Sequence, residues 1–229
     1  MVSRNKVCDG VYQVGGSNIS HPSDCSIYLV DVGYSEYVLI DCGAGESFEK
    51  LISNIESIGY TPTDMKALIL THCHIDHIGA AGEFKAKYDC NIIAHELDAA
   101  GIEGTDKGAT AASWYGVKYQ PVTIDKMIKQ SFEKYRIGEQ EFNFIHTPGH
   151  TPGSISVYCD ISGTRVLFGQ DIHGPFDRSF GSDISAWRVS MNKLLELEAD
   201  ILCEGHFGVF KGKEHVKDYI EGYLKKYSD

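Results

Sequence analysis

Positive charge is scarce in this chain. Its 229 residues include 21 lysines and arginines against 32 aspartates and glutamates, a formal net charge of −11. A balance of that sign argues against a generic nucleic-acid partner or an anionic membrane surface. Long apolar runs are also missing. No stretch approaches the length of a membrane span, and residues 1–16, MVSRNKVCDGVYQVGG, hold no apolar secretory core or cleavage pattern. Cysteines are present but unpatterned. Cys8, Cys25, Cys42, Cys73, Cys90, Cys159 and Cys203 are odd in number and widely spaced, with no CxxC. That argues against a disulfide framework or a Cys-rich zinc site, and free thiols fit a reducing compartment. The expectation is a soluble cytoplasmic protein with no membrane or nucleic-acid partner.

No Pro/Gly-rich linker, low-complexity segment or short repeat divides the chain, so a single domain over residues 1–229 is expected. With 42% hydrophobic residues it has enough apolar side chain for a sizeable core. Strands are predicted at Val11–Val14, Cys25–Asp31, Tyr37–Ile40, Ala67–Leu70 and Asn91–Ala94. Further strands are predicted at Val122–Asp125, Phe132–Ile137, Glu141–Ile145, Ser154–Tyr158, Arg165–Phe168 and Ile201–Cys203. Phe48, Leu51, Ile52, Ile55 and Ile58 recur at helical spacing before Gly59. Residues Gly79–Tyr88 read as a short helix. Ile184, Trp187, Met191, Leu194 and Leu195 mark a helix capped by Ser182 or Asp183. Val216, Tyr219, Ile220, Tyr223 and Leu224 mark the last one. Many strands flanked by helices give an α/β protein with mixed sheets. Residues 101–120 carry Gly, Thr, Ser and aromatics without a period. Two readings stand: a lid over a site, or an ordinary surface excursion.

The densest chemistry is Thr71-His72-Cys73-His74-Ile75-Asp76-His77, directly after the buried ALIL strand. Three imidazoles and a carboxylate sit together at a strand end. In an extended segment His72, His74 and Asp76 would point one way, with His77 displaced and Cys73 turned into the packing. Convergent nitrogen and carboxylate donors at this density suit zinc, with iron or manganese as alternatives. A single histidine is more often solvated or structural, and His21, His95, His146 and His215 receive that reading.

His72-Cys73-His74-Ile75-Asp76-His77 resembles the HxHxDH signature of the metallo-β-lactamase superfamily. The remaining signature elements follow in order. They are Asp41 in LIDCG, His150 in HTPGHTPGS, Asp171 in VLFGQD and His206 in CEGH. Gln170 stands between glycine and aspartate where many relatives have the two adjacent. The resemblance spans roughly residues 10 to 210. It implies an αββα four-layer sandwich of two mixed β-sheets flanked by helices. It further implies two divalent metal ions, one held by His72, His74 and His150, the other by Asp76, His77 and His206, with Asp171 bridging. Asp41 would order the loop, and His173 would support the ligands or touch substrate.

Such a centre hydrolyses by activating water between two cations, with Asp76 and Asp171 as the carboxylates nearest the chemistry. The HTPGHTPGS element looks most like glyoxalase II-like thioesterases and small lactonases, so a thioester or lactone is the expected substrate. Tyr115, with Trp114 and Tyr119, would wall an apolar substrate or donate to an oxyanion, and Lys211 and Lys213 would grip an anionic one. Glyoxalase II itself carries more helix after the last ligand than the single one expected here. Two alternatives remain at this level: a mono-iron persulfide dioxygenase using His72, His150 and Asp171, and a non-catalytic metal-binding sensor. The pattern is compatible with a homodimer through the aromatic insertion without requiring one.

Overall fold

The computed structural model describes residues 5–228. The chain builds two sheets one after the other. The first has seven strands in the order β1 (Lys6–Cys8), β2 (Val11–Gly15), β3 (Ile27–Asp31), β4 (Tyr37–Ile40), β5 (Met65–Ile69), β6 (Asn91–His95) and β7 (Lys126–Ile128). The second has six, in the order β13 (Val209–Lys211), β12 (Ile201–Glu204), β11 (Thr164–Gln170), β10 (Ile155–Ile161), β9 (Gln140–His146) and β8 (Phe132–Ile137). Both mix parallel and antiparallel pairs.

Alternation along the strands explains the layering. In β3 and β4, Tyr28, Val30, Val38 and Ile40 face a central core shared with Phe142, Phe144, Val157, Val166 and Phe168 of the second sheet. Their neighbours Leu29 and Leu39 face the opposite side. There they meet helix α1 (Phe48–Ser57), through Phe48, Leu51, Ile52 and Ile55, and helix α3 (Ala81–Tyr88), through Phe84. On the far face of the second sheet, Leu167 and Leu202 pack with Trp187, Met191 and Leu194 of α6 (Ile184–Leu195). Val216 and Ile220 of α7 (Lys213–Lys226) complete that layer. The architecture is an αββα sandwich. Covering both faces of each sheet is why its central strands are apolar on both sides.

Most predicted elements form within a residue or two of their expected ends. Asp183 caps α6, its carboxylate accepting from Ser185 N at 2.8 Å and Ala186 N at 3.0 Å. Ile184, expected on the buried face, is exposed because it opens the first turn. The strand predicted at Val122–Asp125 does not form. Val122 N bonds Ile102 O, and Ile124 N bonds Glu103 Oε1, so the segment is tied to another loop and β7 begins only at Lys126. Strands β1 and β13, three residues each, were not predicted. All seven cysteines are free. Among the described residues no helix is long and apolar enough to cross a membrane.

Candidate metal centre

The two sheets present the same edge at one place. β4 and β5 run parallel, as do β11 and β12, and β9 runs with β11 because each is antiparallel to β10. Asp41, His72, His150, Asp171 and His206 all follow the C-terminal ends of these strands. The strands fix where each loop starts, which gives the side chains a rigid base.

The histidine-rich segment departs from the extended path predicted for it. His74 is extended at φ −72° and ψ 145°, and then Ile75–Ile78 makes one turn of helix, α2. The hydrogen bond from Ile78 N to His74 O, 3.1 Å, closes the turn. An extended chain would send Asp76 and His77 to opposite sides. The helical turn brings both to the site, while Ile75 and Ile78, three residues apart, share a buried face.

Two donor sets result. In the first, His74 Nδ1 lies 3.2 Å from His72 Nε2 and 2.8 Å from His150 Nε2. In the second, His206 Nε2 lies 3.2 Å from Asp76 Oδ2, and His77 Nε2 lies 3.7 Å from the same oxygen. Asp171 joins them. Its Oδ2 is 3.4 Å from both His150 Nε2 and His206 Nε2, and its Oδ1 is 3.3 Å from His77 Nε2. Zinc–nitrogen bonds of about 2.0–2.1 Å at tetrahedral angles place neighbouring donors roughly 3.3 Å apart. His77 Nε2 and Asp171 Oδ1 are buried without a hydrogen-bond partner. Buried polar atoms are rarely left so. A cation between these donors satisfies them, so the residues present fit a divalent metal.

Other side chains fix the donors. His77 Nδ1 donates to Asp41 Oδ2 at 2.8 Å, and His150 Nδ1 donates to Pro175 O at 2.8 Å, each bond leaving Nε2 turned to the site. Asp41 sits at φ +62°, a left-handed conformation that aspartate tolerates. From there it also accepts from Thr71 N at 2.9 Å and Thr71 Oγ1 at 2.7 Å.

Sequence reasoning missed two further carboxylates. Buried Asp98 accepts from Cys73 N at 2.9 Å, Thr151 Oγ1 at 2.7 Å and Gly153 N at 2.7 Å. It thereby clamps the loop of His72 and His74 to the loop of His150. Buried Glu204 accepts from His206 N at 2.7 Å and from His173 Nδ1 at 2.8 Å. Nothing local in the sequence marks Asp98, whose partners are all remote in the chain, and for Glu204 the only local signal is its place two residues before His206.

Electrostatically the two sets differ. Burial, reinforced by neighbouring imidazoles, lowers His72 well below its usual range and His74 to about 3. Burial also lowers His150, against the opposing pull of Asp171. That trio is neutral and ready to donate lone pairs. Burial works against charge on His77 and His206 too, but the surrounding anions outweigh it. Asp171, Asp41 and Asp76 hold His77 well above its usual range, and Asp171 and Asp76 hold His206 at about 10. Burial alone would raise Asp171, yet His77 and His206 keep it well below the usual carboxylate range.

A cavity of about 200 Å³ opens onto both donor sets. Trp114 and Tyr115 from α5 (Ala112–Tyr115), with Phe176 and Phe180, form its wall. The rings of Trp114 and Phe180 meet edge to face at 4.8 Å. Of the other predicted residues, Tyr119 stays outside, its hydroxyl bonding Ile102 O at 2.8 Å. Lys211 is not brought to the site, since strand β13 commits its Nζ to Val7 O at 2.6 Å. His173 packs edge to face on His206 at 5.3 Å but does not line the cavity. Cys73 is buried, its thiol against Ala109 O. Cys25 lies beside Asp41 and His77, with burial pushing its thiol up to about 12, so it stays protonated at neutral pH. His95 caps the turn at Glu96–Asp98 and stacks on His146 at 4.0 Å.

Comparison with known proteins agrees with this geometry. The family sequence model described as the metallo-beta-lactamase superfamily matches residues 22–206. A probable metallo-hydrolase of Bacillus subtilis, YflN, is 29% identical, with 81% of this chain and 80% of that one aligned. A protein of Haemophilus influenzae named hydroxyacylglutathione hydrolase GloC is 34% identical over 51% of this chain and 52% of its own. Among solved structures, a metallo-β-lactamase of Cronobacter sakazakii superposes with a TM-score of 0.81 at 21% identity, covering 97% of this chain and 91% of that one. At that identity the likeness speaks for the fold.

Proposed function

The chain belongs to the metallo-beta-lactamase superfamily, and from that premise we propose that it is a dinuclear metal-dependent hydrolase of a small thioester or lactone. One observation carries the reading. Asp171 stands within 3.4 Å of a histidine from each donor set, the position of a carboxylate shared by two ions. In this reading His72, His74 and His150 would hold one ion, and Asp76, His77 and His206 would hold the other. Zinc or a similar divalent ion there supplies a Lewis acid and lowers the pKa of water toward neutrality.

The chain's own residues do the rest. Asp171, buried and adjacent to both sets, accepts a proton from the attacking water and passes it to the leaving group. Tyr115 lines the cavity, and burial next to Asp76 raises its phenol, so it remains a donor to a substrate oxygen at neutral pH. The 101–120 insertion supplies Ala111, Trp114 and Tyr115 to the cavity lining. His173 supports His206 from behind through Glu204. The relative named as a hydroxyacylglutathione hydrolase supports a thioester.

The test is turnover of acyl thioesters and lactones by protein as purified, after chelation, and after zinc, iron or manganese is returned. Hydrolysis lost on chelation and regained with metal supports the reading. Oxygen uptake with a persulfide, and no hydrolysis, replaces it with the mono-iron dioxygenase.

A further inference from the structure

The cavity over the donor sets is uneven in its chemistry. Away from the histidines and the two site aspartates, its lining is Ala111, Trp114, Tyr115, Pro175, Phe176 and Phe180, with Asp177 at the rim. A second cavity of about 400 Å³ shares His206 with the first, and Gln13, Ser17, Asn18, Ser26 and Phe207 contribute to it. Among the described residues lining these two cavities there is no lysine or arginine. Arg178 lines an adjoining groove that shares Phe176 with the first cavity and runs beside Ser182 and Asp183, and Lys211 is committed to Val7 O.

We propose that this pair of cavities selects an uncharged substrate, with an apolar or aromatic arm against Trp114, Phe176 and Phe180 and a neutral polar arm against Gln13, Ser17 and Asn18. This deepens the hydrolase reading and rests on it for the identity of the bond that breaks.

The physical case has three parts. An anionic arm laid on the aromatic wall loses water and gains no counter-ion, which is costly for a carboxylate. With His206 engaged as a metal donor, an anionic arm in the second cavity meets amides and hydroxyls, which solvate a neutral amide or alcohol well but leave a full charge unpaired. Away from the metal ions, a net charge of −11 and exposed Asp177 beside the cavity offer no cationic patch to draw anions in. A glutathione conjugate carries two carboxylates and one ammonium on its thiol arm. It should therefore be a poor substrate here, unlike for the relative named after it.

The experiment compares three thioesters on the metal-loaded protein. They are S-phenylacetyl-N-acetylcysteamine, its twin with a carboxylate at the para position of the ring, and S-phenylacetylglutathione. The neutral ester should exceed both anionic ones in kcat/KM by about tenfold or more, the size expected when a charge meets an uncompensated wall. Nonproductive binding of a carboxylate to metal does not disturb that ratio. Trp114→Arg, at a position 63% exposed, should narrow the gap for the ring carboxylate. Equal or higher kcat/KM for the anionic esters, or a gap unmoved by Trp114→Arg, overturns the proposal.

A second readout is independent of turnover. The corresponding thioethers cannot be hydrolysed, and their binding can be followed by quenching of Trp114 fluorescence, with Trp114→Phe as the control. Tighter binding of the neutral thioether supports the inference even if no thioester is cleaved, a result that would instead remove the thioesterase reading. Equal or tighter binding of the anionic thioethers through Trp114 overturns the inference.

Discussion

Asp41 and His77, 36 residues apart, meet at 2.8 Å between Oδ2 and Nδ1. The same carboxylate holds Thr71 at the start of the histidine loop. One side chain thus sets both the tautomer of a donor and the path of the segment that carries it. Asp41→Asn keeps an acceptor but removes the charge. It should weaken metal binding by the His77 set about 10–100-fold, the usual cost of losing a ligand's outer partner. The check is competition with a chromophoric chelator, read for each bound metal equivalent. Unchanged affinity would assign Asp41 a purely structural role.

Asp98 is the other clamp. Asp98→Ala leaves the amides of Cys73 and Gly153 and the hydroxyl of Thr151 without their buried acceptor. A loss on the order of 3 kcal/mol in urea unfolding follows from the penalty for stranding such groups. Metal content should fall with it, because the His150 loop loses its tie to the His72 loop.

Gly205 is a steric requirement rather than a flexible point. A Cβ there would press directly on Asp171 Oδ1. Gly205→Ala should fold, since no left-handed φ is needed at that residue, but should displace Asp171. The expected result is near-normal melting of the metal-free protein with at least one metal equivalent lost, read by elemental analysis.

The opposite shifts of the histidines give the metal-free protein a stability maximum near neutral pH. His72, His74 and His150 have folded values below the unfolded value of about 6.5. Below that pH the unfolded chain binds protons the folded one refuses, so stability falls as pH drops from about 6.5 toward the folded value of about 3 at His74. His206 and His77 are raised. Their contribution is complete below about 6.5 and is lost as pH climbs through about 10 at His206. Melting temperatures of chelated protein between pH 4.5 and 9.5 should trace a dome. Bound metal takes over the role of the protons on His77 and His206 and should flatten the alkaline side. A chelated protein whose stability rises steadily to pH 9.5 would contradict this charge arrangement.

How much of this was legible beforehand follows from where the information sits in the chain. The apolar periodicities at Phe48–Ile55 and Val216–Ile220 predicted buried faces that form as expected. The runs rich in Val, Ile and Tyr at β3 and β4 predicted strands at the right places. His72, His74, Asp76 and His77 stand out because their spacing is local, and the fold brings His150, Asp171 and His206 to them. The helical turn at Ile75–Ile78 was not legible, because an HxHxDH run fits an extended chain equally well until Ile75 and Ile78 are buried on one side. Asp98 was silent for a related reason: a buried carboxylate is identified by its partners, and those of Asp98 come from other loops, while Glu204 bonds His206 N and Phe207 N close by and only His173 from a distance. Val122–Asp125 misled because β-branched residues there pack without joining the sheet.

The central claim is a dinuclear centre, and metal content tests it most directly. Protein purified without added metal or chelator should carry about two divalent ions per chain by elemental analysis, falling to about one in Asp171→Ala. A single iron per chain, unaffected by replacing Asp76 or His206, would contradict the account.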